Sequence, residues 1–299
     1  MGGEGGGQDQ EVDIIPEGGV GMRITILSED TAHANLVGEH GFSAYIEPDS
    51  GEPILFDTGQ GMAIRYNAPL LGIDLSKVNT VAISHGHYDH TGGLFYLLSL
   101  PRERALEVYL HPSALHDKMA EIGETLKYRF VGIPLNPGLF RTGDAFLRQE
   151  TEPVELGNGL ILTGEVPRRC EFEEPPKGFV SATAPDFIFE HDHIPDDQSL
   201  IIPRDGWFAL ISGCGHAGII NTLEYAAELT GKQPRIVIGG LHLISASEER
   251  IAKTVERMKE MGVEKVYLGH CTGWKALRAF EDAYGEGFKR LHVGMRIEI

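Results

Sequence analysis

The chain reads as an α/β (α+β) protein in which two β-sheets lie between outer helix layers, an αββα arrangement. Two observations predict it. A β-hairpin followed by a further strand and helices opens the chain, and a second hairpin-strand-helix series closes it.

Taken in order, Met22–Leu27 is the first strand. Phe42–Ile46 and Pro53–Phe56 flank the turn signal Asp49-Ser50-Gly51 and form the first hairpin. A helix over 61–71 and a strand over 78–83 follow. Thr91-Gly92-Gly93 leads into an apolar helix that stops before Pro101, and Leu106–Leu110 is a strand. Residues 111–195, rich in Pro and Gly, read as an insertion or cap with a short helix at 113–121 and irregular strands at 159–163 and 186–190. Gln198–Pro203 and Trp207–Ile211 make the second hairpin around Arg204-Asp205-Gly206. Helices at 218–230, 247–260 and 273–283 then alternate with strands at 235–238 and 264–268, and a strand near 288–298 closes the chain. One domain spans 22–299, preceded by a Gly-rich, polar leader, Met1–Gly21, expected to be disordered.

Lys and Arg number 26 and Asp and Glu 44, a formal charge of −18. That balance argues against nucleic acid or an anionic membrane surface as the main partner, and leaves a small-molecule substrate. A homo-oligomer is left open. No apolar run is long enough to span a bilayer. The leader lacks the basic start and apolar centre of a signal peptide. Cys170, Cys214 and Cys271 are widely spaced, which fits a reducing cytoplasm and not a disulfide framework.

The chemistry concentrates in Ser84-His85-Gly86-His87-Tyr88-Asp89-His90-Thr91-Gly92-Gly93, where three imidazoles and a carboxylate follow a buried strand. His85 and His87 fall on one side of an extended backbone, and Asp89 and His90 come from the next turn. Imidazole and carboxylate suit zinc and similar divalent ions, with Mn2+ or Fe2+ as alternatives to one or two Zn2+. Two donor pairs this close can serve the two-ion arrangement used for hydrolysis. His216 and His270 each follow a strand and a Gly, and complete a ligand set of His85, His87, Asp89, His90, His216 and His270. His242 shares that context and reads as a substrate contact or general acid before a ligand. His191-Asp192-His193-Ile194-Pro195-Asp196-Asp197 is read as a solvated connector in preference to a second metal cluster, with Asp197 facing the site from the strand start. His33, His40, His111, His116 and His292 are read as structural or exposed.

The His-x-His-x-Asp-His-x-Gly-Gly run resembles the metallo-β-lactamase superfamily. The resemblance implies a four-layer αββα sandwich and metal-assisted chemistry on a phosphorylated or ester-like small molecule, with Asp89 serving both as ligand and in catalysis. It also implies that Asp57 supports the metal loop; as a sequence feature, Asp57 equally suits a helix cap. Many members carry a bridging Asp where this chain has Gly213-Cys214. Cys214 is then either a thiolate ligand favouring zinc or a small buried residue in a tight turn, the second being preferred. The later series Asp197–Leu200, Ser212–Asn221, Gly239–Leu243 and Gly269–Gly273 is similar to the branch of 7,8-dihydropterin-6-yl-methyl-4-(β-D-ribofuranosyl)aminobenzene 5′-phosphate synthases. A module that keeps the fold and binds a metal or ligand without catalysis is the alternative.

Overall fold

The computed structural model describes residues 12–14, 21–123, 127–136, 138, 140, 145–183 and 188–299. Among them the strands form three sheets of eight, seven and four strands.

The eight-stranded sheet runs, edge to edge, Val12–Ile14, Arg296–Glu298, Met22–Ser28, Ser43–Pro48, Ile54–Phe56, Thr80–Ala82, Leu106–Leu110 and Ala145–Gln149. The seven-stranded sheet runs Val154–Glu155, Ile161–Leu162, Ser199–Pro203, Trp207–Ser212, Gln233–Gly239, Lys265–Leu268 and Phe288–Arg290. Side-chain alternation decides how they stack. Ile24, Ile26, Ile46 and Phe56 of the first sheet meet Leu200, Ile202, Ile211 and Ile238 of the second in one buried cluster. Their neighbours point outward. Ile201, Phe208, Leu210 and Val237 pack under the helices Ile219–Thr230, Glu248–Glu260 and Trp274–Tyr284. Leu27, Leu55, Val81 and Val108 pack under Met62–Leu70 and Leu94–Ser99. The result is the expected αββα sandwich.

Each sheet contributes three neighbouring parallel strands: Ile54–Phe56, Thr80–Ala82 and Leu106–Leu110, and Trp207–Ser212, Gln233–Gly239 and Lys265–Leu268. Parallel strands deliver their carboxyl ends to one edge, where ligand-binding loops gather. Asp57, Ser84 and His111 leave the first set there, and Cys214, His242 and His270 leave the second.

Three expectations differ from the structure. The helix expected at 113–121 is a short 3-10 turn, Pro112–Leu115, followed by a strand, Asp117–Glu121. That strand pairs with Phe179–Ala182, a partner about 60 residues away whose pairing overrides local preference. With Tyr128–Phe130 and Glu190–His191 it forms the four-stranded sheet inside the 111–195 region. The strand expected near 288–298 is two. Phe288–Arg290 belongs to the second sheet and Arg296–Glu298 to the first, with Gly294 at φ 87° between them. Within the leader, Val12–Ile14 is a strand parallel to Arg296–Glu298; residues 1–11 and 15–20 lie outside the described residues, as do 186 and 187 of the expected strand at 186–190.

Candidate metal centre

The His-rich run turns sharply at the end of its strand. The chain bends at Ser84 and Gly86, His87 is extended, and Tyr88–Thr91 is a single helical turn. Four of its side chains converge with residues from the opposite sheet. His85, His87 and His216 bring ring nitrogens within 4.8 Å of one another, and so do the donors of Asp89, His90 and His270. All six residues are buried. Cys214 joins His85 and His90 in an overlapping group, so the two clusters are contiguous.

The hydrogen-bond network assigns the tautomers. His90 Nδ1 donates to Asp57 Oδ2 at 2.7 Å, so its Nε2 carries a lone pair. His270 Nδ1 donates to Asp30 Oδ1 at 3.0 Å, which turns its Nε2 toward the same point. These two Nε2 atoms face each other at 3.2 Å. Ser84 Oγ donates to Asp57 Oδ2 at 2.7 Å and therefore accepts from His85 Nδ1 at 2.9 Å. That leaves the His85 Nε2 lone pair facing His87 Nδ1 at 2.9 Å. Nitrogens this close need a proton or a metal ion between them. Among the described residues, both nitrogens of His216 and Nε2 of His87 are buried without a hydrogen-bond partner. The donor set thus fits divalent ions bound through imidazole and carboxylate.

The electrostatics of the two clusters differ. Burial, then the neighbouring imidazoles, hold His85 well below the ordinary histidine range. Burial takes His87 down to about 4, and burial with His242 holds His216 well below that range. Neutral imidazole is the ligand form. Burial also opposes charge on His270, but Cys271, Asp30 and Asp89 outweigh it and raise its pKa to about 9. Burial works against charge on Asp89 as well, yet His90 and His270 keep its carboxyl below the ordinary range.

Asp57 does not cap the following helix, whose N-cap is Gly61 with no side-chain bond. It is fully buried at φ 58° and also accepts from Ser84 N at 2.6 Å, so it ties the metal loop to the neighbouring strand end. His242 and His270 likewise sit at positive φ, 46° and 48°. Left-handed backbone in non-glycine residues is a strained conformation that collects at functional sites. The His242 and His216 rings are 4.0 Å apart, and His242 groups with Cys214 and Cys271. Asp197, 2% exposed, accepts from Ala217 N at 2.8 Å, beside His216.

His40 is exposed, as expected, and its ring also borders the second cluster: its centroid is 4.8 Å from that of His270, its Nδ1 bonds Asp30 Oδ2 at 3.1 Å, and its Nε2 is 3.4 Å from Asp89 Oδ2. One reading of the sequence needs correction: the 191–197 stretch is not simply solvated. His191 is exposed, but Asp192 is buried, and Lys118 Nζ lies 2.8 Å from both Asp192 and Asp196. Asp196 in turn accepts from Gly86 N at 2.7 Å, between His85 and His87.

Sequence reasoning missed Asp30, Ser84 and Phe179. Asp30 lies two residues beyond the strand Met22–Ser28, and an acidic residue just past a strand end was the available signal. Phe179 stacks on His87 with centroids 5.1 Å apart and covers the first cluster from the four-stranded sheet; nothing in its sequence context marks it.

Residues 36–270 match the family profile of the metallo-beta-lactamase superfamily. A 7,8-dihydropterin-6-methyl-4-(beta-D-ribofuranosyl)-aminobenzene-5'-phosphate synthase of Methanocaldococcus jannaschii is 31% identical over 287 residues, covering 93% of this chain and 96% of that protein. A solved metal-dependent hydrolase of the beta-lactamase superfamily superposes with a TM-score of 0.79 at 32% identity, covering 93% of this chain and 99% of the other. The metallo-beta-lactamase fold protein YhfI of Bacillus subtilis shares the fold, with a TM-score of 0.57 at 12% identity over 94% of this chain and 100% of its own. With two donor clusters at the shared edge of an αββα sandwich, this chain belongs to the metallo-β-lactamase superfamily.

Proposed function

We propose that the chain is a divalent-metal enzyme that acts on a small phosphorylated substrate, joining a dihydropterin to an aminobenzene ribotide. The observation that carries the metal half is the pair of contiguous clusters in which ring nitrogens of His85 and His87, and of His90 and His270, face each other at 2.9 and 3.2 Å. His85, His87 and His216 would hold one ion, and Asp89, His90 and His270 a second. Zn2+ suits this imidazole-rich set, and Mn2+ or Fe2+ are alternatives. Bound ions would supply Lewis acidity and offset the charge of a departing phosphate.

The chain's own residues do the rest. A cleft of about 340 Å3 opens beside His216 and His242 and is also lined by Phe172, Lys177, Ser247 and Arg250. Nε of Arg250 is buried with no hydrogen-bond partner among the described residues, so an anionic substrate group would supply what the cleft lacks. His242 is placed to hand a proton to a leaving oxygen or to hold the substrate there. In the synthase reaction the donor carries a diphosphate on the pterin methyl carbon. The ribotide amine forms the new C–N bond, the C–O bond breaks, diphosphate leaves, and the amine proton passes to a base. The substrate rests on the likeness to the methanogen synthase. A second reading, hydrolysis with water as acceptor, is supported by the likeness to the solved hydrolase.

Elemental analysis of the purified protein beside the His85→Ala/His87→Ala variant tests the metal reading. Bound divalent metal in the wild type, lost in the variant, is expected. Diphosphate release that requires the amine supports the synthase; release without it supports the hydrolase. A wild type that binds no divalent metal even with excess Zn2+ overturns both.

A further inference from the structure

We infer that the cleft beside His216 and His242 is a subsite for the phosphomonoester of a sugar phosphate, the 5′-phosphate of the ribotide acceptor, gripped by Arg250 with Lys177 at the rim. The inference rests on the substrate reading above. It gives each substrate anion its own place, the donor diphosphate on the ions and the acceptor phosphate at Arg250.

Arg250 carries it. Among the described residues, Arg102, Arg250 and Arg296 each bury Nε without a hydrogen-bond partner. Arg102 spends its other nitrogens on Val78 O and Leu97 O, and Arg296 donates to Leu71 O at 3.3 Å. The Arg250 guanidinium has no hydrogen bond or ion pair to any described residue. Its charge reaches Glu173 and Glu174, but neither bonds it. Glu173 accepts from Ile220 N and Asn221 N, and Glu174 pairs with Lys177 at 2.9 Å. The planar fork is left unspent, and it matches phosphate bidentately. Ser247 Oγ accepts from Arg250 N at 3.2 Å, so its own proton is left to donate.

The shape of the cleft agrees. At about 340 Å3 it lies at the small end of ligand cavities, so it takes one part of a substrate and not a whole conjugate. His216 lines it, so it adjoins the first cluster, and Phe172, Pro175 and Pro176 offer apolar surface to the carbons of a sugar. In the ribotide, the benzene ring and the sugar separate the phosphate from the attacking amine. A cation away from the ions can therefore hold the phosphate while the amine faces the donor carbon, and fixing that orientation lowers the barrier.

Calorimetry of the full chain loaded with Zn2+ and titrated with ribose 5-phosphate tests this. The wild type should bind the ester and should not bind ribose. Arg250→Gln should weaken binding about 10–100-fold at unchanged metal content, and Arg250→Lys should recover part of the loss. Lys177→Gln, at an exposed residue, should weaken it about 2–5-fold. Unchanged affinity in Arg250→Gln, or in Lys177→Gln where Arg250→Gln does not fold, overturns the subsite, because the ester then sits on the ions alone. Ribose binding as tightly as its phosphate overturns it too. Bound Zn2+ without Arg250-dependent binding leaves the metal reading standing. Arg250-dependent binding by a chain that holds no metal sinks the metal reading and keeps the subsite.

Discussion

His85, His87 and His216 meet as bare imidazoles, whereas Asp89, His90 and His270 meet inside a frame of carboxylates. In the second cluster, Asp57 fixes His90 and Asp30 fixes His270, each by an Nδ1–H bond. In the first, Ser84 Oγ holds His85 Nδ1, and His216 has no hydrogen-bond partner among the described residues. Its geometry comes from the backbone and from residues of the cap region and the segment just after it. Asp196 holds Gly86 N, Lys118 holds Asp196, and Phe179 stacks on His87. One cluster is oriented by hydrogen bonds from carboxylates at the edge of the eight-stranded sheet, the other by packing and a buried ion group brought from 111–197. The two should therefore fail in different ways.

The largest effect belongs to Lys118. It is 1% exposed, and burial opposes its charge, but Asp196 and Asp192 keep its pKa above the ordinary lysine value. Lys118→Met leaves two buried carboxylates without their cation, which should cost about 3–5 kcal/mol of unfolding free energy. Urea unfolding measures it. The first cluster should lose metal affinity in the same variant while the second keeps its own. Equal loss at both would mean that the ion group supports the whole edge.

Asp57→Asn and Asp30→Asn probe the other side. Each removes an oriented imidazole and should weaken the second ion by about 10–100-fold, read by chelator competition. They differ in stability. Asp57 is fully buried and accepts from Ser84 N, Ser84 Oγ and His90, so its variant should also unfold at lower denaturant. The Asp30 side chain is 39% exposed, and its variant should unfold close to the wild type. Parallel loss of the first ion in Asp30→Asn would break the distinction between the clusters. Phe179→Ala is smaller again. Loss of its stacking should cost about 0.5–1.5 kcal/mol with metal content unchanged, which separates covering the site from holding the ion.

How much of this was legible in the sequence follows from distance along the chain. The run from His85 to His90 carries its own strand, turn and spacing, and strand–Gly–His marks His216 and His270. Partners brought from far away leave no such mark. Asp30 and His270 are 240 residues apart, and Lys118 and Asp196 are 78 apart. His40 reads as an ordinary loop histidine until the fold sets it against Asp89. Cys214 reads as a small residue in a turn because only the seating of Gly213 on Asp57 shows where its sulfur points. The strand Asp117–Glu121 was hidden for the same reason, since its partner lies near residue 180.

The smallest effect concerns Glu173, which links the cap region to the helix that follows His216. Its carboxylate accepts from Ile220 N and Asn221 N, at 3.0 and 2.9 Å, in the first turn of Ile219–Thr230. Two forces compete there. Burial favours the neutral acid, while the N–H groups and the helix dipole favour the anion. Burial wins, and the pKa lies above the ordinary 4.5. A folded pKa raised for a carboxyl means that its contribution is whole below the unfolded value and is lost as pH rises through the folded one. Glu173→Gln removes the titration and keeps the shape. The stability difference between wild type and variant should therefore move against the wild type as pH rises from about 4 to about 7, read as thermal midpoints at several pH values. A shift in favour of the wild type over that range would mean that the helix end outweighs burial, and that the cap region holds this helix by charge rather than by fit.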